Sequence, residues 1–252
     1  MKLSAMITTF QDVEFIDASI KSIKDNVDQL VITEGSYSER HKMGIPARST
    51  DGTIDICRQH ADGKKVLFFQ ANEQSDPQQR NFCLEKIKQF NKDGWFLIVD
   101  SDEVWDPNML LKVKSLCKAA EKENIIHAAY FTSMTFINDA KHFTFQHFPR
   151  LFRITPECRF VNDNFLSWDG IPWSAPYVIR REDIKYFHYS FCKGTDKLNQ
   201  KRDWWMSRGL GKDWDYGWKV DENGKITDDN HTIFLYEGKH LSIMNNHPLM
   251  IK

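Results

Sequence analysis

The sequence predicts an α/β fold with a mixed central sheet, and three observations lead to this prediction. Four short apolar runs alternate with helix signals over the first half of the chain, in the order βαβαβαβα. These runs are continuously apolar, as expected for parallel strands covered by helices on both faces. The second half changes to signals typical of antiparallel strands. We therefore expect two halves, residues 1–125 and 126–252, that share one core in a single compact domain.

The elements of the first half follow from apolar patterns and capping residues. Strands are predicted at residues 2–10, 29–33, 64–71 and 95–99. Asp12 is expected to cap a helix whose apolar residues keep a helical period. The stretch 49–61 predicts a turn followed by a short helix. Asp76-Pro77 and Asp106-Pro107 each pair a capping residue with a proline, which predicts that a helix begins at each.

Turn residues organise the second half. Strands are predicted at residues 127–137, 141–154 and 184–191, and a helix at 195–210. Asn138-Asp139 is expected to form the turn between the first two strands. Asn223-Gly224 favours a hairpin over residues 220–227.

Composition excludes several classes of protein. Of the 252 residues, 41% are hydrophobic and 27% are charged, and the net charge of -1 argues against a general polyanion binder. No signal peptide is visible, and no apolar run approaches the roughly 20 residues that cross a bilayer. The five cysteines are scattered without CxxC spacing. We therefore expect reduced thiols in a cytoplasmic protein, without disulfides or structural zinc.

Polar residues follow the predicted parallel strands at the points where those strands end. They are Thr8, Glu34, Asn72 and Asp100. In sheets of this kind, ligands bind beyond the carboxyl ends of the strands. We therefore expect these residues to gather along one edge of the sheet.

Three carboxylates come directly after the fourth apolar run, in the stretch WFLIVDSDEVW. Asp100, Asp102 and Glu103 would repel one another and lose hydration at the end of a buried strand. A divalent cation removes both penalties, and carboxylate oxygens suit magnesium, manganese or calcium. On an extended segment, the two aspartates of Asp-x-Asp project from the same face. The alternative is an acidic loop that caps the next helix through Asp106.

Four stretches in order resemble family 2 glycosyltransferases with a GT-A fold. WFLIVDSDEVW resembles their DxD segment, and MITTFQDVEFIDASIKSI resembles their opening strand, loop and helix. VITEGSYS with STDGTIDIC resembles their second strand and S-x-D-G-T turn, and DPQQRNFCLE resembles their Q-R-N segment. The match covers most of residues 3–106. The ordered set is specific, whereas each piece alone is weak.

This resemblance implies a half, residues 1–125, that binds a nucleotide-sugar. Glu34 would lie near the nucleobase, where an aspartate is more usual, and Arg80 near the base or diphosphate. Asp100 would contact the ribose, Asp102 would bind the metal, and Thr8 and Ser101 are assigned to the donor site. Structural alternatives remain: Glu34 could cap a loop, and Arg80 could be an exposed helix residue.

Transfer also needs a base for the acceptor hydroxyl, which is expected from the half 126–252. Related enzymes carry R-L-F-R, then R-F, then an acidic residue, often as I-H-E. Here Asp163, between two asparagines, is the first candidate, and Asp169 in WDGIPW is the second. Asn-Asp-Asn is also good turn chemistry. Arg150 and Arg153 either meet phosphate or pair with acids.

His188 is the candidate third metal ligand, because glycosyltransferases of this type often carry a late histidine on a short strand. A core histidine is the alternative. Residues 185–212 have a net charge of +5 and include two tryptophans. Lys193 or Lys197 could neutralise the donor diphosphate, or the helix could meet an anionic acceptor by stacking. A solvated helix face is the structural alternative.

These inferences predict a glycosyltransferase that moves a sugar from a nucleotide-diphosphate sugar, such as a UDP-sugar, to an acceptor hydroxyl with Mn²⁺ or Mg²⁺. The resemblance implies inversion, and an imidazole ligand would favour Mn²⁺. The acceptor stays open: a glycan, a lipid-linked sugar, a protein or a modified nucleic acid, with an anionic acceptor as one of the alternatives. One rival is a nucleotidyltransferase, but TTFQDVEF lacks the glycine and lysine of its usual phosphate loop. The other is a non-catalytic sugar- or nucleic-acid-binding protein with the same fold.

Overall fold

The computed structural model describes residues 1–71, 74–123, 125–162, 165–207, 219–220, 226–227 and 232–251. Its strands are β1 (Leu3–Thr9), β2 (Gln29–Glu34), β3 (Val66–Gln70), β4 (Trp95–Asp100), β5 (Glu103–Val104), β6 (Ala128–Ile137), β7 (His142–Arg153), β8 (Arg159–Phe160), β9 (Leu166–Ser167), β10 (Val178–Phe191), β11 (Lys219–Val220), β12 (Ile226–Thr227) and β13 (Phe234–Leu235). Its α-helices are α1 (Ile16–Ile23), α2 (Ser38–His41), α3 (Thr53–His60), α4 (Asp76–Phe90), α5 (Pro107–Glu123), α6 (Thr195–Ser207) and α7 (Pro248–Ile251).

The main sheet is mixed, as predicted. Its order is β3-β2-β1-β4-β7-β6-β10-β5, and β13 pairs with β7. Strands β3, β2, β1 and β4 are mutually parallel, whereas β7 runs antiparallel to β4. The predicted hairpin strands β11 and β12 also pair antiparallel.

Helices cover both faces of the parallel strands, because successive residues of each strand point to opposite sides. Leu97 and Val99 of β4 pack in the cluster that contains apolar residues of α1, α3 and α5. Phe96 and Ile98 pack in the other cluster, with residues of α4. All four of these side chains are buried, which explains why the strand reads as a continuous apolar run.

Two predicted caps are wrong, while a third is confirmed. Helix α1 has Phe15 at its N-cap, and the Asp12 side chain does not cap it. Helix α4 has Ser75 at its N-cap, and the Ser75 amide donates to Gln78 Oε1 at 2.9 Å. The serine takes this place and forms a capping box with Gln78, while the carboxylate of Asp76 accepts a bond from Arg80 Nε at 2.6 Å. Asp106 accepts a bond from the Asn108 amide at 2.7 Å, as a capping aspartate does.

The chain divides into two compact units. The first contains Met1–Thr132 and His147–Tyr186, with β1–β5, β8, β9 and helices α1–α5. The second contains Ser133–Gln146 and Phe187–Lys252, with α6, α7 and β11–β13. In the second unit, Phe136 stacks on Tyr189, and the Tyr189 hydroxyl is 2.8 Å from His240 Nδ1. The division of the chain at residue 125 stays a prediction.

Candidate functional site

The carboxyl ends of the parallel strands bring the predicted strand-end residues into one row. Thr8 of β1 lies opposite Asp100 of β4, and Thr9 lies opposite Glu34 of β2. Glu34 in turn lies opposite Gln70 of β3. The sheet therefore places Thr8, Glu34 and Asp100 along one edge, while Asn72 lies outside the described residues.

The acidic turn, residues 100–103, connects β4 to β5. Strand β4 ends at Asp100, Ser101 and Asp102 form a turn, and β5 begins at Glu103. The short strand β5 is a sheet neighbour of β10. Because residues 101–102 are not extended, the two-residue period of a strand does not apply to Asp100 and Asp102. The expectation that this segment is extended, with both aspartates on one face of a strand, is therefore wrong.

Arg150 of β7 joins two of the three acids. Its Nη2 donates to Asp100 Oδ2 and to Glu103 Oε1, each at 2.5 Å. Its Nε donates to the Tyr186 hydroxyl at 3.2 Å, and its side chain is only 2% exposed. The alternative that Arg150 pairs with acids is the one that the structure shows. Positive charge from the protein itself therefore compensates Asp100 and Glu103.

Glu103 is the most deeply buried acid of the turn. It is fully buried, and its Oε2 accepts a bond from Trp105 Nε1 at 3.3 Å. Burial raises the pKa of Glu103 above its ordinary value, and the charges of Asp100 and Asp102 act in the same direction, while Arg150 lowers it. Burial lowers the pKa of Arg150, but the carboxylates of Asp100 and Glu103 outweigh burial and hold it well above its ordinary value.

A second arginine approaches the same turn from α4. Arg80 is buried, its Nε donates to Asp76 Oδ1 at 2.6 Å, and its Nη2 lies 3.9 Å from Asp100 Oδ1. The alternative of an exposed helix residue is therefore wrong. Burial lowers the pKa of Arg80, but the charges of Asp76 and Asp100 and the hydrogen bond to Asp76 outweigh burial and raise it above its ordinary value. Thr8, predicted for the donor site, forms a side-chain hydrogen bond with Tyr37.

Ser101 is held from another direction. Its hydroxyl donates a short hydrogen bond to Asp12 Oδ2, and both residues are buried. The Asp12 amide in turn donates to Thr53 Oγ1 at 2.8 Å. The loop after β1 and the acidic turn are therefore tied together through the aspartate that was expected to cap α1.

Glu34 has one bound oxygen and one oxygen without a partner. Its Oε1 accepts a bond from the Ser49 amide at 2.7 Å. This oxygen therefore caps a loop, which was the structural alternative for Glu34. Its Oε2 is buried and has no hydrogen-bond partner among the described residues. Gly35 follows with φ of 148°, and a Cβ there would lie 2.9 Å from Arg48 Nη1. The glycine thus allows Arg48 to reach the Glu34 carbonyl at 3.1 Å.

The acidic turn contains a candidate metal site. The described side chains that could share an ion include Asp100 and Glu103, whose ligand oxygens lie within 4.8 Å of each other. Asp102 is buried but does not belong to this group in the described part of the chain. His188 is buried in β10, two positions after Tyr186.

Of the two candidate bases, Asp169 lies among the described residues and Asp163 does not. Asp163 lies outside the described residues, in the connection between β8 and β9. Asp169 is exposed in the turn after β9, where its carboxylate is 3.9 Å from Arg159. Asn81 of α4 anchors β8 through two bonds to the Phe160 backbone, at 2.9 and 2.8 Å.

The basic segment after β10 belongs to the second unit. Lys193 is half-buried in the turn before α6. Lys201 donates to Ser190 Oγ and lies 4.9 Å from the Phe191 ring centroid, and Arg202 pairs with Asp203 at 3.1 Å. Part of the predicted basic face therefore forms contacts within its own unit. Arg208 and Lys212, which contributed to the predicted charge, lie outside the described residues.

Sequence reasoning missed the partners that make the acidic turn a network. Arg150 was considered but not assigned, and the roles of Glu103, Trp105 and Tyr186 were not foreseen. The Trp105 ring stacks on Tyr186 at 4.6 Å and 9°. The available signal was Glu103 placed directly before Val104-Trp105, because a carboxylate in an apolar run requires a buried donor.

Comparisons with known proteins agree with this architecture. Residues 4–198 match the family described as glycosyl transferase family 2. No curated protein is significantly similar to the chain in sequence. In the described part of the chain, none of the helices has the length and apolar character needed to cross a membrane.

Among solved structures, the chain is similar to TarS 1–349 of S. aureus, with 13% identity and a TM-score of 0.47 over 82% of this chain and 65% of that chain. TarS 1–349 in complex with UDP-GlcNAc is matched with 16% identity and a TM-score of 0.40 over 54% of this chain and 35% of that chain. Glucosyl-3-phosphoglycerate synthase of Mycobacterium tuberculosis, in complex with Mn²⁺, UDP and glucosyl-3-phosphoglycerate, is matched with 12% identity and a TM-score of 0.45 over 93% of this chain and 87% of that chain. The chain thus spans about a third of the TarS chain that carries UDP-GlcNAc.

Proposed function

The chain belongs to glycosyl transferase family 2, and we propose that it transfers a sugar from a nucleotide-diphosphate sugar to an acceptor hydroxyl. This membership confirms the resemblance seen in the ordered motifs and, with it, the GT-A fold class. The observation that carries the proposal is the row of polar strand ends, Thr8, Asp100 and Glu34, at the edge where such sheets bind ligands.

Glu34 is the proposed recognition residue for the nucleobase. Its Oε2 is a buried acceptor without a partner among the described residues, and an unsatisfied buried acceptor is costly. A base that presents an N–H group, as the imide of uracil does, would satisfy this oxygen. We therefore favour a UDP-sugar as the donor, with Thr8, Asp100, Ser101 and Arg80 near its ribose and diphosphate. Lys193 is proposed to neutralise the diphosphate.

A divalent cation fits the chemistry of the acidic turn. Its three carboxylates provide the hard oxygen ligands that Mn²⁺ and Mg²⁺ prefer. Of the two nearby arginines, Arg80 is also paired with Asp76 at 2.6 Å, so the arginines do not cancel the charge of the three acids. Asp102 and His188 are the proposed ligands. When bound, the ion would stabilise the negative charge that builds on the leaving diphosphate.

The proposed reaction is an inverting displacement. A base takes the proton of the acceptor hydroxyl while that oxygen attacks the anomeric carbon, and the bond from that carbon to the diphosphate breaks. Asp163 is the first proposed base and Asp169 the second.

The proposal is tested with UDP-sugars and Mn²⁺, by measuring UDP binding and the slow release of UDP by hydrolysis. We expect cation-dependent binding and turnover by the natural protein. Asp102→Asn should lose the cation dependence of binding while its thermal unfolding stays the same, because the amide keeps the shape of the side chain. Asp163→Asn should keep donor binding and lose turnover.

Two results would contradict the proposal. Uptake of UDP-sugars without any turnover would indicate a non-catalytic binding protein. Full turnover by Asp102→Asn after the cation has been removed would show that the cation assignment is wrong. Normal turnover by Asp163→Asn, with loss in Asp169→Asn, would move the base to Asp169.

A further inference from the structure

Arg150 holds both ends of the acidic turn. The two carboxylates bound by its Nη2, Asp100 and Glu103, stand immediately before and after Ser101-Asp102. The guanidinium is itself fixed, since its Nε donates to the Tyr186 hydroxyl at 3.2 Å and it lies 5.0 Å from the ring of Phe148. A single buried side chain thus sets the separation of the two ends of the turn.

The remaining contacts of the turn restrain it further. Ser101 donates to Asp12, and Glu103 accepts a second bond from Trp105. Asp100, Ser101 and Glu103 are therefore each bound to a residue outside the turn. The backbone on both sides of Asp102 is fixed as a result.

These buried ion pairs are a poor source of stability, because charged groups must lose their hydration to form them. Burial of two carboxylates and a guanidinium removes their hydration, and the free energy of their mutual attraction often does not offset this cost. Proteins with apolar residues of similar volume in such places are frequently as stable. The gain that apolar residues could not supply is a fixed position for the carboxylates.

We propose that Arg150 is a positioning residue, which holds the acidic turn in the geometry that binds a divalent cation together with a nucleoside diphosphate. This inference rests on the proposed function. Arg150 would act on a bound ion indirectly, because its bonds to Asp100 and Glu103 fix the turn that carries the proposed ligand Asp102. Residues that orient metal ligands in this way typically change metal affinity or activity by roughly 10–100-fold when they are replaced.

The direction of the change separates this role from two simpler ones. If Arg150 contributed only its charge, removal of a positive charge beside the site would tighten cation binding. If it contributed only stability, the folded molecules of a variant would keep their cation dependence. A positioning role alone predicts weaker cation binding by a folded protein.

The experiment titrates Mn²⁺ in the presence of saturating UDP and measures UDP binding by the full chain, well below the unfolding temperature of each variant. Arg150→Met is expected to raise the half-saturating Mn²⁺ concentration by roughly 10–100-fold. Arg150→Lys keeps the charge but cannot bridge two acids in the same way, so it should also be weakened. Arg153→Met is the matched control, because Arg153 lies on the same strand but packs over Trp95, at 6.0 Å.

An unchanged or lower half-saturating Mn²⁺ concentration in Arg150→Met and Arg150→Lys would overturn the inference. If Arg150→Met does not fold, Arg150→Lys decides the question alone. An equal effect of Arg153→Met would also overturn it, since the loss would not depend on contact with the turn. Absence of Mn²⁺-dependent UDP binding by the natural protein would instead contradict the proposed function, so the two failures are distinguishable.

Discussion

Glu34 ends β2 and Asp100 ends β4, on either side of β1 at the same edge of the sheet, yet their carboxylates are satisfied in different ways. Glu34 is fully buried, its Oε1 is bound by a backbone amide, and its Oε2 has no hydrogen-bond partner among the described residues. Asp100 has a side chain that is 30% exposed and is bound by the guanidinium of Arg150. Neutral donors preserve an acceptor for a ligand, whereas a guanidinium cancels charge and fixes position.

The carboxylates of Glu34 and Asp100 are therefore suited to different roles. Glu34 is suited to recognise one N–H group, because an unsatisfied buried acceptor gains most from a new donor. Asp100 is part of a charged network whose members restrain one another. Variants at the two places should therefore fail differently, in affinity at Glu34 and in stability at the acidic turn.

The largest effect is expected from Glu103→Ala, which breaks the network at its most buried acid. The guanidinium of Arg150 would lose one of its two carboxylates in a fully buried place. We expect a loss of about 3 kcal/mol or more in the free energy of unfolding, as is typical when one partner of a buried ion pair is removed. Urea unfolding of the variant and the natural protein measures this difference.

Glu103→Gln is the control for that prediction. Its amide oxygen can still accept a bond from Arg150, and the cost of burying a charge disappears, so its loss should be clearly smaller. A loss below about 1 kcal/mol for Glu103→Ala would mean that Arg150 does not depend on this partner. The acidic turn would then not differ from Glu34 in depending on a charged partner for stability.

An intermediate effect is expected from Glu34→Gln, in affinity rather than stability. One oxygen can still accept the Ser49 amide, but an NH₂ group would replace the acceptor proposed for the base. We expect UDP binding to weaken roughly tenfold, which corresponds to about 1.4 kcal/mol. Calorimetric titration with UDP measures it, and thermal unfolding checks that the fold is retained.

Glu85→Gln provides the matched control, because it removes a carboxylate from α4 whose side chain is 65% exposed. Its UDP affinity should equal that of the natural protein. Unchanged UDP affinity in Glu34→Gln would remove Glu34 from the donor site. The unsatisfied oxygen would then need a different explanation.

The fold was predictable where the signals are local. Continuous apolar runs identified β1 to β4, and Asp106 marked the start of α5. Local patterns misled at Asp12, because its carboxylate binds Ser101, 89 positions away, instead of the adjacent helix. The short strand β5 was not predicted, since two residues carry no period and its place depends on its sheet neighbour β10.

The candidate site was predictable in its residue types but not in its pairing. The acids of the turn could be read from the sequence, and the sheet register then aligned Thr8 with Asp100. The bond between Arg150 and Glu103 joins residues 47 positions apart. Such a pair is decided by strand order, here by β7 lying beside β4, and no local pattern contains that information.

The smallest effect is expected from Ser101→Ala, which removes an uncharged donor from the acidic turn. The variant removes one hydrogen bond to Asp12 and leaves the salt bridges of Arg150 in place. We expect a loss of about 1 kcal/mol in the free energy of unfolding, as is typical of a single hydrogen bond. Ser115→Ala is the control, because that hydroxyl donates to a carbonyl of its own helix on an exposed face. A loss as large as that of Glu103→Ala would show that the hydroxyl, not the guanidinium, fixes the turn, and the distinction between neutral and charged donors would have to be abandoned there.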